Sequence, residues 1–212
     1  GYFAARSVIG QRPLSPSKVF NLYGLCYGRP MTPEDMDRVA GDFAAATVRA
    51  REAGFDAVEL HYGHGYLVSQ FLSPFTNRRK DDHGGALENR LRFPLQVLAA
   101  VREAVGPDYP VLAKMNLTDG FGRGLQLEEA VEVAKKLEAG GVTGLVLSGG
   151  FVSKTSLYML RGEVPRKEMA RVQKGWYRRL GLSLFGRIFV KRYPFSELFF
   201  LDESRAVREA VE

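Results

Sequence analysis

Two histidines, His61 and His64, stand three residues apart in "VELHYGHGYLVSQF" (residues 58–71), set among glycines and followed at once by Tyr66. The chain has only three histidines, so this clustering asks for a reason. Side chains on a strand alternate between its faces. On the short strand "DAVELH", Ala57, Glu59 and His61 therefore share one face, with His61 at the end of it. Gly63 and Gly65 allow a sharp turn that brings His64 back beside His61, and Tyr66 opens an apolar, helical run. Two imidazoles aimed at one point suit two kinds of chemistry: holding a metal, or donating hydrogen bonds to a substrate oxygen as it gains negative charge. A metal wants a third ligand, yet His83 is the only other histidine and no carboxylate sits in a motif such as H-E-x-x-H. No metal is expected. The plain alternative is a pair of histidines satisfied within the core. Two further strand ends carry polar or small residues, Lys114 in "YPVLAKMN" and Ser148, Gly149 and Gly150 in "VTGLVLSGG". A lysine there is also where a Schiff-base aldolase would place its nucleophile.

The elements that must position these residues alternate along the chain. "MTPEDMDRVAGDFAAATVRAREAGF" reads as a helix capped by Thr32, with Pro33 at its first position, apolar residues at Met36, Val39, Phe43 and Ala46, and Gly54 closing it. "DAVELH" is a strand. "ALENRLRFPLQVLAAVREAVG" is a helix that Pro94 interrupts. "YPVLAKMN", "LQLEEAVEVAKKLEAGG" and "VTGLVLSGG" follow as strand, helix and strand. "SELFFLDESRAVREAVE" closes as a helix with Ser196 as its cap. Residues 1–31 read as an irregular N-terminal loop, and residues 151–195 as a long irregular excursion after the third strand. Strict alternation with short apolar strands implies an α/β fold with a parallel sheet, in which chemistry sits at the C-terminal strand ends. A doubly wound sheet and a (β/α)8 barrel both fit. No G-x-G-x-x-G follows a strand, which disfavours a Rossmann dinucleotide site. Three strands fall short of the eight a complete barrel needs, in typically about 250 residues.

Composition bounds the remaining classes. With 45% apolar and 25% charged residues the chain is of ordinary globular type. It carries no apolar run long enough for a membrane helix and no signal-peptide pattern, so no membrane partner is expected. The single cysteine, Cys26, excludes an internal disulfide and fits a cytoplasmic setting. The net charge of +6 is uneven: ten Lys/Arg and only two Glu fall between Arg161 and Arg192, giving that segment +8. A solvated face or a site for an anionic ligand accounts for this. Nucleic acid is not expected, since only Trp176 and Tyr177 interleave with the cations.

"GFDAVELHYGHGYLVSQFLSPFTNRRKDDHGGALENRLRF" (residues 54–93) resembles the signature of the Old Yellow Enzyme family, the FMN-dependent NADH:flavin oxidoreductases. That signature runs G-[FY]-D-x-V-E-[IL]-H-x-x-[HN]-G-Y-L-x-x-Q-F-L-S-P and then N-x-R-x-D-x-x-G-G-x-x-E-N-R. The likeness continues through "PVLAKMN", the third helix and strand, and the closing helix. It implies that residues 1–212 are one partial TIM-barrel domain, an incomplete (β/α)8 barrel of about strands four to six with their helices. It implies FMN as cofactor and NAD(P)H as reductant. His61 and His64 match the pair that holds the oxygen of an activated alkene (enone, enoate or nitro-alkene), and Tyr66 matches the proton donor. Lys114 matches the cation beside the flavin ring, where a fixed positive charge favours the anionic reduced form; Ser148, Gly149 and Gly150 match backbone that approaches the ring. Asn77, Arg78, Asp81, Glu88, Asn89 and Arg90 belong to the signature as scaffold. The expected partners are a small-molecule substrate and, at the open sheet, a second copy of the chain or the missing remainder of the barrel. The rival expectations are a non-catalytic barrel fragment without a competent FMN site, and the lysine aldolase.

Overall fold

Local capping starts the first helix. The Thr32 hydroxyl accepts from the Asp35 amide (3.3 Å), and the Asp35 carboxylate accepts from the Thr32 amide (3.0 Å), a reciprocal cap. Arg29 hydrogen-bonds both Asp35 oxygens (2.7 and 2.8 Å), which holds that carboxyl down at about 2. Helix α1 (Pro33–Glu52) then runs to Gly54, whose φ of 87° closes it. The Phe55 amide reaches the Ala50 carbonyl and the Gly54 amide the Arg51 carbonyl, so two otherwise orphaned carbonyls are satisfied. The buried stripe is Met36, Val39, Ala40 and Thr47 with Phe43 beside it; Ala46, expected in it, is exposed.

The computed structural model describes residues 10–21, 26–155, 157–172, 175–176, 179–181, 183–184 and 191–212. Strand β1 (Val58–Tyr62) leads to a short helix α2 (Leu67–Leu72) and then to α3 (Leu87–Val105). Strand β2 (Val111–Asn116), helix α4 (Leu127–Ala139) and strand β3 (Gly144–Ser148) follow. Helices α5 (Arg166–Arg171) and α6 (Leu201–Ala210) come next. The three strands form one parallel sheet in the order β1-β2-β3. Its register pairs His61 with Lys114 and Lys114 with Val146.

Among the described residues, the helices cover one face of this sheet only. Leu60, Tyr62, Val111, Ala113 and Met115 point to that face and are buried with Phe71, Phe93, Val97, Leu98 and Leu137. Helix α1 packs on α3, α3 on α4, and α4 on α6. The opposite face carries Glu59, His61, Leu112, Lys114 and Val146, none of them buried. This is the arrangement of βα units in a barrel wall, with the inner face open and the sheet not closed.

Three expectations change. Pro94 does not break α3, which is continuous over 19 residues. A mid-helix proline costs about 3 kcal/mol, but Leu91, Phe93, Val97, Leu98 and Val101 all bury around it, and the Pro94 carbonyl accepts from the buried Tyr62 hydroxyl at 2.8 Å. Burial raises that phenol's pKa above its ordinary value. Second, Ser196 does not cap the last helix. That helix begins at Leu201, after Leu198 turns with φ of 49° and the Leu201 amide donates to its carbonyl. Third, the 151–195 excursion is not wholly irregular, since it contains α5. In the 1–31 segment, two-residue strands pair Leu14–Ser15 with Arg29–Pro30 and Phe20–Asn21 with Cys26–Tyr27. Residues 1–9 and 22–25, together with Lys174, Tyr177, Arg178 and Arg187 of the basic excursion, lie outside the described residues.

Candidate active site

Strand β1 delivers His61 to the open face, and the turn after it returns His64. His64 itself has a φ of 59° and Gly65 one of 75°. A left-handed non-glycine residue costs free energy and persists only where its surroundings fix it. Here they do. The His64 amide donates to Asn116 Oδ1 (3.0 Å), and the His64 carbonyl accepts from the Val152 amide (3.1 Å). The Gly65 amide donates to Ser69 Oγ (3.1 Å), and the Gly65 carbonyl accepts from Gln70 Nε2 (2.6 Å). Gly65 admits no side chain, because a Cβ there would lie 2.7 Å from the Phe151 ring.

The turn sets the His64 ring centroid 5.0 Å from that of His61, and the Tyr66 ring 4.9 Å from His61. Tyr66 occupies the N-cap position of α2 and is 47% exposed. His64 Nε2 lies 2.7 Å from Ser148 Oγ at the end of β3, so Ser148 meets the histidine pair. Lys114 stands in the His61 row, with Nζ 3.4 Å from Glu59 Oε1. Partial burial lowers the pKa of both imidazoles, His61 and His64, below the ordinary 6.5. The Lys114 charge adds to this in both, and His61 adds to it in His64. Glu59 opposes the shift. Both rings are thus biased toward the uncharged form, which carries one N–H.

Gly149 and Gly150 have a packing reason for lacking side chains. A Cβ on Gly149 would meet the Phe200 ring at 2.4 Å, and one on Gly150, whose φ is 92°, would meet Tyr158 at 2.7 Å. The signature residues hold the loop between α2 and α3. Asn77 Nδ2 donates to the carbonyls of Phe71 and His83, Asn89 to that of Gly84, and Arg90 to those of Gly85 and Leu72, with an ion pair to Glu129.

The sequence reading missed a buried bracket behind the site. Asn116 accepts from the His64 amide and donates to Asp119 Oδ1 (2.9 Å) and to the Gly150 carbonyl (2.8 Å). Asp119 in turn accepts from Ser73 Oγ (2.6 Å) and the Leu125 amide (2.8 Å). Burial raises its carboxyl pKa against the pull of these donors. The only signal was two polar residues, three apart, in "KMNLTDG", which gives no hint of partners 46 and 52 residues away.

Parallel βα units with helices on one face and paired histidines, a tyrosine and a lysine at the other define a barrel-type α/β protein with a polar rim at its strand ends. The chain belongs to the NADH:flavin oxidoreductase / NADH oxidase family, whose profile matches residues 10–151. It is 37% identical over 204 residues to the 4,4'-dithiodibutanoate disulfide reductase of Rhodococcus erythropolis, covering 94% of this chain and 50% of that protein. It is 44% identical over 124 residues to the NADPH dehydrogenase of Listeria welshimeri, covering 58% and 36% of the two chains. Among solved structures, the old yellow enzyme homologue of Zymomonas mobilis superposes with a TM-score of 0.63 at 22% identity. That superposition takes in all of this chain and 65% of the other, and it shows the shared barrel fold. The chain spans about half the length of the first of these relatives and about a third of the second. Among the described residues, no helix is long and apolar enough to cross a membrane.

Proposed function

We propose that the intact protein is an FMN-dependent NAD(P)H oxidoreductase that reduces an activated alkene, with His61 and His64 holding the substrate oxygen and Tyr66 as proton donor. The observation that carries this reading is the convergence of the three rings, with centroids 4.9 and 5.0 Å from His61. The open inner face suits one edge of a flavin ring, because Lys114 presents a partly exposed cation in the same row as His61. When bound, FMN supplies the hydride. The work of this chain's residues is to polarise and protonate. Neutral imidazole N–H groups meet the charge that develops on the alkene's carbonyl or nitro oxygen, at about 2.7–4 kcal/mol for one well-placed donor. His64 Nε2 is engaged with Ser148 Oγ at 2.7 Å; in the tautomer in which the Ser148 hydroxyl donates, the His64 proton is on Nδ1 and that N–H is the one free for the substrate. Tyr66 gives its phenolic proton to the α-carbon. Lys114 holds positive charge at the ring edge, with Glu59 fixing its direction. Family membership favours this role for Lys114 over the aldolase reading.

The test is sequential mixing under anaerobic conditions. FMN-loaded protein is reduced with NAD(P)H and then mixed with an α,β-unsaturated ketone. The reading predicts return of the oxidised flavin spectrum with one saturated ketone formed per flavin. A reduced flavin that the alkene fails to reoxidise would overturn it.

A second reading, that the chain as it stands is a non-catalytic part of a barrel, is supported by one feature. The described sheet ends at β1 on one side and β3 on the other, and Glu59, Leu112 and Val146 on its inner face are not buried. Lack of FMN binding by this chain, with binding by a longer form, would support it.

A further inference from the structure

The loops that follow the three strands build a second pocket beside the histidine turn. Phe75 comes from the loop after α2, Phe121, Gly122 and Arg123 from the loop after β2, and Lys154 and Thr155 from the segment after β3. Lys191 closes it from the end of the basic excursion. The cavity holds about 300 Å³. Its floor is aromatic: Phe75 and Phe121 meet edge to face at 5.1 Å, and both meet Phe151 at about 6 Å. Phe151 is buried and packs against Gly65 on its far side. The phenylalanine cluster therefore partitions this pocket from the His64 turn. A smaller cavity lined by His64, Gly150 and Phe151 shares Thr155 with it.

The charge of this pocket is one-sided. Arg123, Lys154 and Lys191 line it, and no carboxylate does among the described residues. None of the three makes an ion pair with a described acidic residue, although Asp and Glu pair with arginine or lysine at nine other places in the fold. Lys154 Nζ lies 5.1 Å from the Phe75 centroid, and the Arg78 guanidinium adds a fourth cation 5.7 Å from the same ring. Like charges gathered over low-dielectric side chains repel, and a multiply charged anion relieves that repulsion. Guanidinium and ammonium groups together are the usual donors to phosphoryl oxygens.

We infer that this pocket binds the diphosphate group of a nucleotide-bearing ligand. The choice of a nucleotide rests on the proposed redox reading, whose reductant carries such a group; the anion site itself does not. Two ligands share the chemistry, the dinucleotide reductant and a substrate tethered to a nucleotide handle. Either one, anchored on Arg123 and Lys154, would reach the His64 side by way of Thr155, which lines both cavities.

The test is calorimetric titration of the chain, without flavin, with inorganic pyrophosphate, ADP, NADPH and coenzyme A. Because no flavin is present, failure of the redox reading leaves the result unaffected. The inference predicts saturable binding of pyrophosphate and ADP that weakens as salt rises. The double variant Arg123→Glu/Lys154→Glu should weaken it at least tenfold, while circular dichroism stays that of the parent chain. Both residues are exposed, and Arg123→Gln/Lys154→Gln gives a milder second version. Preference for NADPH identifies the reductant as the occupant, and preference for coenzyme A a nucleotide-tagged substrate; either outcome supports the site. No binding of any of the four, or binding that both double variants leave unchanged, overturns it.

Discussion

As the proposed donors, His61 and His64 must stay neutral, and their surroundings disfavour the charged ring. Their folded-state pKa values lie below 6.5, lowered first by burial. Between each lowered value and the unfolded value, the unfolded chain binds more protons, so stability rises with pH there. Their contribution is complete above about pH 6.5 and is lost as pH falls through the window beneath. Urea denaturation from pH 7 to pH 5 should show a falling midpoint, and the double variant His61→Asn/His64→Asn should flatten that slope. An unchanged slope would mean that the imidazoles are not held neutral. The pair was legible in the sequence because both rings and Tyr66 lie in one short stretch, where strand alternation and two glycines suffice to bring them together. The partner of His64 was not: Ser148 is 84 residues away, and only the parallel register of β1, β2 and β3 makes them neighbours.

At the scale of elements, the turn between β1 and α2 carries the site, and two contacts fix it. Gly65→Ala would combine a left-handed φ of 75° with a Cβ 2.7 Å from Phe151. The expected loss is about 1–3 kcal/mol for each of these two effects. Adding Phe151→Leu should recover the steric part and not the backbone part, as chemical denaturation would show. Asn116→Ala should cost about 1–3 kcal/mol through the buried partners it strands, since the His64 amide, Asp119 and the Gly150 carbonyl all lose a bond to it. If Asn116→Ala is as stable as the parent, the bracket does not hold the turn. Elements themselves were read well where the signal is local. β2 and β3 fall within the apolar runs expected of them, β1 runs one residue past its run to Tyr62, and Thr32 caps α1. Errors arose where tertiary contacts override local preference. Pro94 is carried inside α3 by the packing around it. The start of α6 is displaced past Ser196 because the rings of Phe199 and Phe200 are engaged, the first beneath Arg161 and the second against Gly149.

For the whole molecule, the open sheet is the governing feature. Among the described residues, β2 has a partner on each side, while β1 and β3 each have one. Hydrogen exchange of the chain alone should show the amides of β2 protected longest and those of β1 and β3 released earlier. Equal protection across all three would mean that the outer edges are covered, for instance by self-association. The α/β class and the parallel order were legible from alternation alone, and the incomplete barrel from the strand count together with the signature. Alternation along the first strand foresaw that Glu59 and His61 share the inner face. That Glu59 directs Lys114 follows from the cross-strand register, which the sequence does not display.

The central claim is that Tyr66 protonates a substrate whose oxygen His61 and His64 hold. Stopped-flow measurement of the two half-reactions of the intact, FMN-loaded Tyr66→Phe variant tests it most directly. The account predicts that flavin reduction by NAD(P)H keeps its parental rate, while reoxidation by the activated alkene slows by about 10²–10⁴-fold, the range for loss of a general acid. Equal slowing of both half-reactions, or no slowing of the second, would contradict it.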